Sequence, residues 1–370
     1  MNLLELCLSP GRGGMELYLY RTVQALRVRH NVLPVVSDVP GLVSRLMDEE
    51  GIAYDTLRVG LPELPLLAAR SLARTIDDAD IDAVHVHWRR DLPVAALAKR
   101  FSRRRPFLAY TIQMKVSHSK RDPYHNYIYG QVDRFITITD QLREQVREKL
   151  HPRFYDRVQR LYYGTPSPTL LDEAARDALR REHGLDPQRF TVGLFGQKHE
   201  GKGQMLLVEA MGRLKREGVA VSLLLVGPPV FQEDDDRLRA AVRANDLEEE
   251  TRLIDYVRTP QELMQVCDVV VLATWQETFG LVLIEAMSVG TAVIGSDAGG
   301  VREIITHGDT GLLFETKNVP DLHRQLAALQ RMPDKRARLA VRGQARARKV
   351  FDLDRHYAAL EAILKGEAGY

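Results

Sequence analysis

Two carboxylates eight positions apart, Glu277 and Glu285, flank Thr278, Phe279, Gly280 and Leu281 in the segment TWQETFGLVLIEAM. The β-branched run DVVVLAT (268–274) ends just before them, and the pattern after Gly280 is helical. Glu277 is therefore expected on a strand-to-helix loop and Glu285 on the body of the helix. A helix N-terminus opened by a glycine turns unpaired backbone N–H groups and a positive dipole end on an anion such as phosphate. A carboxylate on that helix can accept two hydrogen bonds from the vicinal hydroxyls of a ribose, and one in the loop can bind sugar hydroxyls. Together these groups suit a nucleoside diphosphate sugar.

Other residues offer less specific chemistry. Gly11, Gly13 and Gly14 in SPGRGGMELYLY (9–20) open a helical pattern and could face an anion. As a dinucleotide fingerprint the segment fails, because Glu16 occupies the third glycine position. His85 and His87 close one strand and are expected on opposite faces; with no acidic residue or cysteine in ligand spacing, no metal pair is expected. KVSHSKRDPYHNYIY (115–129) mixes Lys115, Lys120, Arg121, Asp122 and His125 with aromatic rings, which fits either a polar acceptor or a solvated loop.

These residues need elements to hold them. In 370 residues, 45% hydrophobic and 28% charged, the chain has the composition of a folded protein of two ordinary domains. Short apolar runs at 2–8, 31–38, 53–59, 81–88, 107–112 and 134–140 alternate with helical patterns at 41–49, 63–78, 92–101 and 140–150. The segment 162–173, with Gly164, Pro166 and Pro168, reads as a hinge. The rhythm then restarts at 190–196, 221–227, 252–257, 268–274, 291–297 and 311–315. Such alternation predicts two α/β domains, each a doubly wound parallel sheet, with ligands at the carboxyl ends of the strands in a cleft between them.

The remaining composition bounds the setting. Net charge is +2, which gives no reason to expect nucleic acid as a partner. Basic residues cluster in KRFSRRR (99–105) and across 331–349, as solvated helix faces or as contacts to an anionic membrane surface or acceptor. No apolar run approaches the roughly 18 residues of a membrane span, and the amino terminus has no basic n-region. Cys7 and Cys267 sit apart in apolar runs and are expected to be buried thiols. The expected location is cytoplasmic, with peripheral attachment at the inner membrane face as an extension.

At the glutamate segment the chain resembles the retaining GT-B glycosyltransferases of family 4, the glycosyl transferases group 1. There, two glutamates flank seven residues containing the Phe-Gly pair. GGME (13–16), VHVHW (84–88), GPP (227–229), SDAGGVREII (296–305), GLLF (311–314) and RKVFDLDRHYAALEAIL (348–364) are similar to further family segments. The resemblance implies a GT-B fold of two Rossmann-like domains facing a central cleft. Residues 1–165, completed by a returning helix in 351–370, would form the acceptor side. Residues 166–350 would bind the donor.

The resemblance also implies roles. Glu285 would hold the ribose, Glu277 the transferred sugar, and amides around Phe279, Gly280 and Leu281 the diphosphate, with Gly13 and Gly14 facing it. Lys202 in GQKHEGKGQ (196–204) would stabilise the leaving phosphate, and Val257 would meet the nucleobase. The family arginine five positions before that lysine is Gln197 here, with Lys198 as a neighbouring point charge. The family histidine after the fifth strand is Gln113, and His118 is the nearest imidazole to replace it. The implied reaction is retaining transfer of a hexose-type sugar from a UDP- or GDP-linked donor to a glycan or lipid-linked acceptor, in envelope polysaccharide or glycolipid synthesis. No metal and no further cofactor is implied. The rivals are a GT-B sugar-nucleotide epimerase and an inactive sugar-nucleotide-binding subunit, the latter kept open by Gln113 and Gln197.

Overall fold

The computed structural model describes residues 1–367 except 12, 61, 62, 256 and 258. The chain divides into two compact units, Met1–Tyr162 with Asp354–Tyr370, and Tyr163–Leu353.

The first unit is built on β1 (Asn2–Cys7), β2 (Asn31–Ser37), β3 (Asp55–Leu57), β4 (Ala83–Val86), β5 (Phe107–Ile112), β6 (Arg134–Thr137) and β7 (Val158–Arg160). They form one sheet in the order β3-β2-β1-β4-β5-β6-β7, with every pair parallel. Between them run α1 (Gly14–Leu26), α2 (Leu42–Glu49), α3 (Leu66–Asp78), α4 (Leu92–Phe101), α5 (Pro123–Gly130) and α6 (Asp140–Lys149). Strand order reverses between β1 and β4, the position at which open α/β sheets leave a crevice.

The second unit opens with α7 (Glu173–Glu182), followed by β8 (Phe190–Phe195), α8 (Gln204–Arg216), β9 (Val221–Val226), α9 (Gln232–Ala244), β10 (Thr251–Ile254) and α10 (Pro260–Gln265). Then come β11 (Val269–Leu272), α11 (Leu281–Ser288), β12 (Ala292–Ser296), α12 (Val301–Ile304), β13 (Leu312–Phe314), α13 (Val319–Arg331) and α14 (Pro333–Val350). The sheet runs β10-β9-β8-β11-β12-β13, again all parallel, with its reversal between β8 and β11. The inner strands β8, β9 and β11 are buried at every residue, as expected for strands covered on both faces. Leu207, Met211 and Leu214 of α8 share one core with Val192, Leu194, Leu223, Leu225, Val271 and Ile294. The final helix, α15 (Leu353–Leu364), buries His356, Tyr357, Leu360, Ile363 and Leu364.

Two expectations need correction. Segment 115–129 is not loop throughout: α5 starts at Pro123, capped by Asp122, whose Oδ1 accepts from the His125 N–H at 3.0 Å. An Asp-Pro pair is a start signal, since Asp caps and Pro suits the first helical position. The expected strand 252–257 ends at Ile254, and its Tyr256 lies outside the described residues. The basic run 99–105 is largely paired. Lys99 meets Asp133, Arg103 lies 3.9 Å from Asp77, and Arg104 bridges Asp80 and Asp82 at 2.8 and 3.0 Å. Among the described residues no helix is long and apolar enough to cross a membrane. Cys7 and Cys267 are buried and free, and burial pushes both thiols up.

Candidate functional site

In the second unit the residues singled out gather where β8 and β11 end, at the strand-order reversal. The loop after β8 makes a single 3-10 turn, Glu200–Lys202, and enters α8 through Gly203 at φ +75°. A Cβ at Gly203 would stand 2.2 Å from the Ala273 carbonyl oxygen, so only glycine lets this loop approach the end of β11. Trp275 donates its backbone N–H to the Gly201 carbonyl at 3.0 Å, and the Thr274 hydroxyl donates to the same oxygen at 3.2 Å. These bonds bring Lys202 Nζ to 3.5 Å from Glu277 Oε2, with both side chains part exposed.

Glu277 is itself held. Its Oε1 accepts the Thr278 N–H at 3.2 Å, and its carbonyl accepts the Gly300 N–H at 3.1 Å. Gly280 caps α11 at φ +111°, a conformation L side chains rarely adopt. Phe279 is buried, its ring edge-on to Tyr163 and Phe351 at 5.2 and 5.9 Å between centroids. The ring thus anchors the loop and leaves only its backbone for a ligand. Glu285 is buried on α11, while Leu281, which opens that helix, is half-buried.

Lys198 departs from the expectation of an available point charge. It is 1% exposed, with Nζ 3.0 Å from Asp235 and 2.7 Å from Asp255. Its backbone bridges Pro229 after β9, donating to the Pro228 carbonyl at 2.9 Å and accepting from Val230 at 3.1 Å. An ammonium cannot be buried unpaired, and these two carboxylates neutralise it. Burial pushes Asp235 up, but the Arg239 and Lys198 donors outweigh it and hold the carboxyl below its ordinary value. Gln197 is half-buried and uses its carbonyl to accept from Gln204 Nε2 at 2.9 Å. Val257 is half-buried beyond β10.

In the first unit, the Gly13 N–H is taken by Glu16 Oε2 at 2.9 Å, and Glu16 Oε1 accepts from the Ser9 hydroxyl at 2.5 Å. This corrects the expectation that the Gly13 amide faces a phosphate: the residue that breaks the dinucleotide fingerprint occupies that amide. Gly14 is exposed at the start of α1, and Arg12 of this loop lies outside the described residues.

The histidine expectation also needs correction. His85 and His87 share a face, because side chains two apart on a strand return to the same side. Their rings lie 4.2 Å apart between centroids, and both bond Glu5 Oε2, His85 through Nδ1 at 2.9 Å and His87 through Nε2 at 2.6 Å. Glu5 stands opposite His85 in the β1–β4 register. The outer ring nitrogens meet the Thr111 hydroxyl at 2.7 Å and Gln113 Nε2 at 3.5 Å. Burial pushes Glu5 up, but the His85 charge and the two histidine hydrogen bonds outweigh it and bring the carboxyl down to about 2. Burial, helped by the His85 charge, lowers His87 to about 4. Among the described residues these three could hold a metal, since one ligand atom from each lies within 4.8 Å of the others. Their spacing is that of direct hydrogen bonds, and Thr111 and Gln113 meet the outer ring nitrogens, while Glu5 Oε1 is buried with no hydrogen-bond partner among the described residues. His118 is exposed, next to Ser117, which lines a recess together with Gln113 and His87.

Residues 175–346 match the family model described as glycosyl transferases group 1, and residues 12–167 the one described as Glycosyltransferase Family 4. The chain belongs to this family of GT-B glycosyltransferases. It is similar to the D-inositol 3-phosphate glycosyltransferase of Nocardia farcinica, 28% identical over 378 residues, covering 92% of this chain and 82% of the relative. The enzyme of that name from Pseudarthrobacter chlorophenolicus is also 28% identical, over 218 residues that span 56% of this chain and 51% of the relative. In fold the chain is similar to the crystal structure of Anabaena HepE in complex with UDP and glucose. The TM-score is 0.85, with 22% identity and coverage of 99% of this chain and all (100%) of that one.

Proposed function

We propose that the protein transfers a hexose-type sugar from a UDP- or GDP-linked donor to a hydroxyl of a glycan or lipid-linked acceptor, with retention at the anomeric carbon. The observation that carries this reading is the meeting of Lys202 with Glu277 at the strand-order reversal of the second unit. Gly280 opens α11 beside them, and Glu285 lies buried one turn further on. A helix end and a cation answer a diphosphate; the two carboxylates answer a ribose and a sugar. The complex of Anabaena HepE with UDP and glucose supports a uridine nucleotide as the first donor to try.

In the proposed step the acceptor oxygen attacks the anomeric carbon on the face the diphosphate leaves. The new C–O bond forms as the bond to the diphosphate oxygen breaks, and the acceptor proton passes to a phosphate oxygen. Lys202 and the N-terminus of α11 would stabilise the charge that builds on the leaving group, without help from a metal. Synthesis of envelope polysaccharide or glycolipid is the proposed setting.

Thermal unfolding with UDP, GDP, ADP and their sugars tests the reading. A ligand at 100 times its dissociation constant adds about 2.7 kcal/mol of stability. A shift with one nucleotide, lost in Glu285→Ala and reduced in Lys202→Ala, is expected. Folded protein with no shift across the panel would overturn the donor assignment.

A further inference from the structure

The transfer reading leaves the buried cluster of Glu5, His85 and His87 without a role. Its side chains come from neighbouring parallel strands of the first unit. Glu5 on β1 pairs with His85 on β4, and the His87 N–H continues that ladder to the Leu6 carbonyl at 3.1 Å. Each of the three is at most 1% exposed. Two imidazoles two residues apart on one face of a strand, with a carboxylate from the strand beside it, make a two-nitrogen, one-carboxylate donor set. One ligand atom of each lies within 4.8 Å of the others.

Three observations favour a cation at this point. Glu5 Oε2 accepts from both rings, at 2.9 and 2.6 Å, yet Glu5 Oε1 is buried with no hydrogen-bond partner. An unpaired buried carboxylate oxygen is costly, and a metal ion can take it as a second ligand atom of the same side chain. The outer ring nitrogens are held as well, His85 Nε2 by the Thr111 hydroxyl at 2.7 Å and His87 Nδ1 by the Gln113 amide at 3.5 Å. Such outer partners fix the rings of metal-binding histidines. A hydroxyl and an amide can each donate or accept, so both can support the tautomer that leaves the inner nitrogen its lone pair. The size also fits. Tetrahedral bonds of about 2.0–2.1 Å set donor atoms about 3.3 Å apart, so the present separations need open by only about half an ångström.

We propose that Glu5, His85 and His87 bind a divalent transition-metal ion of the zinc type, which ties β1 to β4 at the strand-order reversal of the first unit. The protons on His85 Nδ1 and His87 Nε2 shift to the outer nitrogens, where Thr111 and Gln113 accept them. The two freed lone pairs and the Glu5 carboxylate then hold the ion. His87 borders the recess lined by Tyr110 and Gln113, which gives the ion its way in. The ion's role is structural, and it stands apart from the proposed transfer step, whose charge is met by Lys202 and α11 of the second unit.

The full chain, stripped with EDTA and then titrated calorimetrically with Zn²⁺, tests this. One zinc per chain is expected to survive dialysis, to raise the unfolding temperature, and to lose that effect when EDTA is added. Co²⁺ in its place should show the intense visible absorption of a four-coordinate site. His85→Asn and His87→Gln each keep an amide nitrogen to meet Glu5 while removing the imidazole ligand. Each should weaken zinc binding about 100-fold or more, and Thr111→Val about 10- to 100-fold. His125→Gln breaks the part-exposed Asp122–His125 pair and should change nothing. Folded wild-type protein that retains no zinc would overturn the proposal. So would zinc binding unaltered in the His85→Asn/His87→Gln double variant, or lost in His125→Gln. Should the variants not fold, the wild-type Co²⁺ spectrum decides, since the weak absorption of a six-coordinate ion would overturn the assignment.

Discussion

The Lys202 ammonium stands 3.5 Å from the Glu277 carboxylate, across two loops joined by the bond from the Trp275 backbone N–H to the Gly201 carbonyl. Both side chains are part exposed, so the pair adds little stability of its own. Its consequence is positional. In the proposed reading, a cation for the leaving diphosphate is parked beside a carboxylate for the sugar, and a bound donor would come between them. Lys202→Gln is expected to slow turnover by about 100- to 1,000-fold, the usual cost of losing one charge-stabilising donor. Glu277→Gln should impair use of the sugar nucleotide while sparing UDP binding. Steady-state transfer rates set beside UDP titrations check both.

Gly203 offers a test of the loop that carries Lys202. Gly203→Ala adds a left-handed strain of about 1–2 kcal/mol to a collision 2.2 Å from the Ala273 carbonyl oxygen. Gly218, at φ +85° with no atom within 4 Å of the position a Cβ would take, supplies the control. Urea denaturation should show Gly203→Ala losing clearly more stability than Gly218→Ala, whose cost stays near the strain alone.

Lys198 should behave as a structural residue. Lys198→Met leaves Asp255 without its cation and Asp235 with Arg239 alone. Breaking a buried pair costs about 3–5 kcal/mol, and because Asp255 is largely exposed the lower end is expected here. Nucleotide-induced stabilisation should persist in the folded variant. Loss of that stabilisation with unchanged stability would instead make Lys198 a phosphate ligand.

Asp91 gives the first unit a pH dependence of opposite sign to most carboxylates. Burial pushes its carboxyl up to about 7, and the Leu8 N–H at 2.8 Å only partly opposes this. The folded state therefore keeps a proton that the unfolded chain releases near pH 4. Its contribution to stability is full below that pH, falls as pH rises to about 7, and is flat above. Relative to wild type, Asp91→Asn should gain on the order of a few kcal/mol over that interval. Unfolding curves from pH 4 to 8 would show a constant difference if Asp91 were ionised throughout.

His356 supplies the reverse dependence. Burial lowers it to about 4, where it meets the Tyr18 hydroxyl and donates to the Tyr162 carbonyl. The unfolded chain binds a proton near pH 6.5 that this side chain refuses, so stability falls as pH drops from about 6.5 to 4. His356→Gln should flatten that limb of the stability profile, measured over the same series.

Amino-acid order alone determined the alternation of strands and helices, because fully buried parallel strands read as apolar runs and helices carry their own period. It also determined the setting of Glu277, Gly280 and Glu285, since a strand end, a glycine cap and a helix lie within a dozen residues. The start of α5 was equally legible in Asp122-Pro123, although the charged stretch around it reads as loop. The partners of the buried charges were not legible. Glu5 looks like an interruption in an apolar strand until β1 is laid beside β4, where it stands opposite His85 and reaches His87 as well. Lys198 resembles a free cation until β9 and β10 bring Asp235 and Asp255 to it. Capping and strand periodicity are local and leave their mark in neighbouring residues. Neutralisation of a buried charge is a contact between distant segments, and only the crossover order of the sheets decides which carboxylate meets which cation.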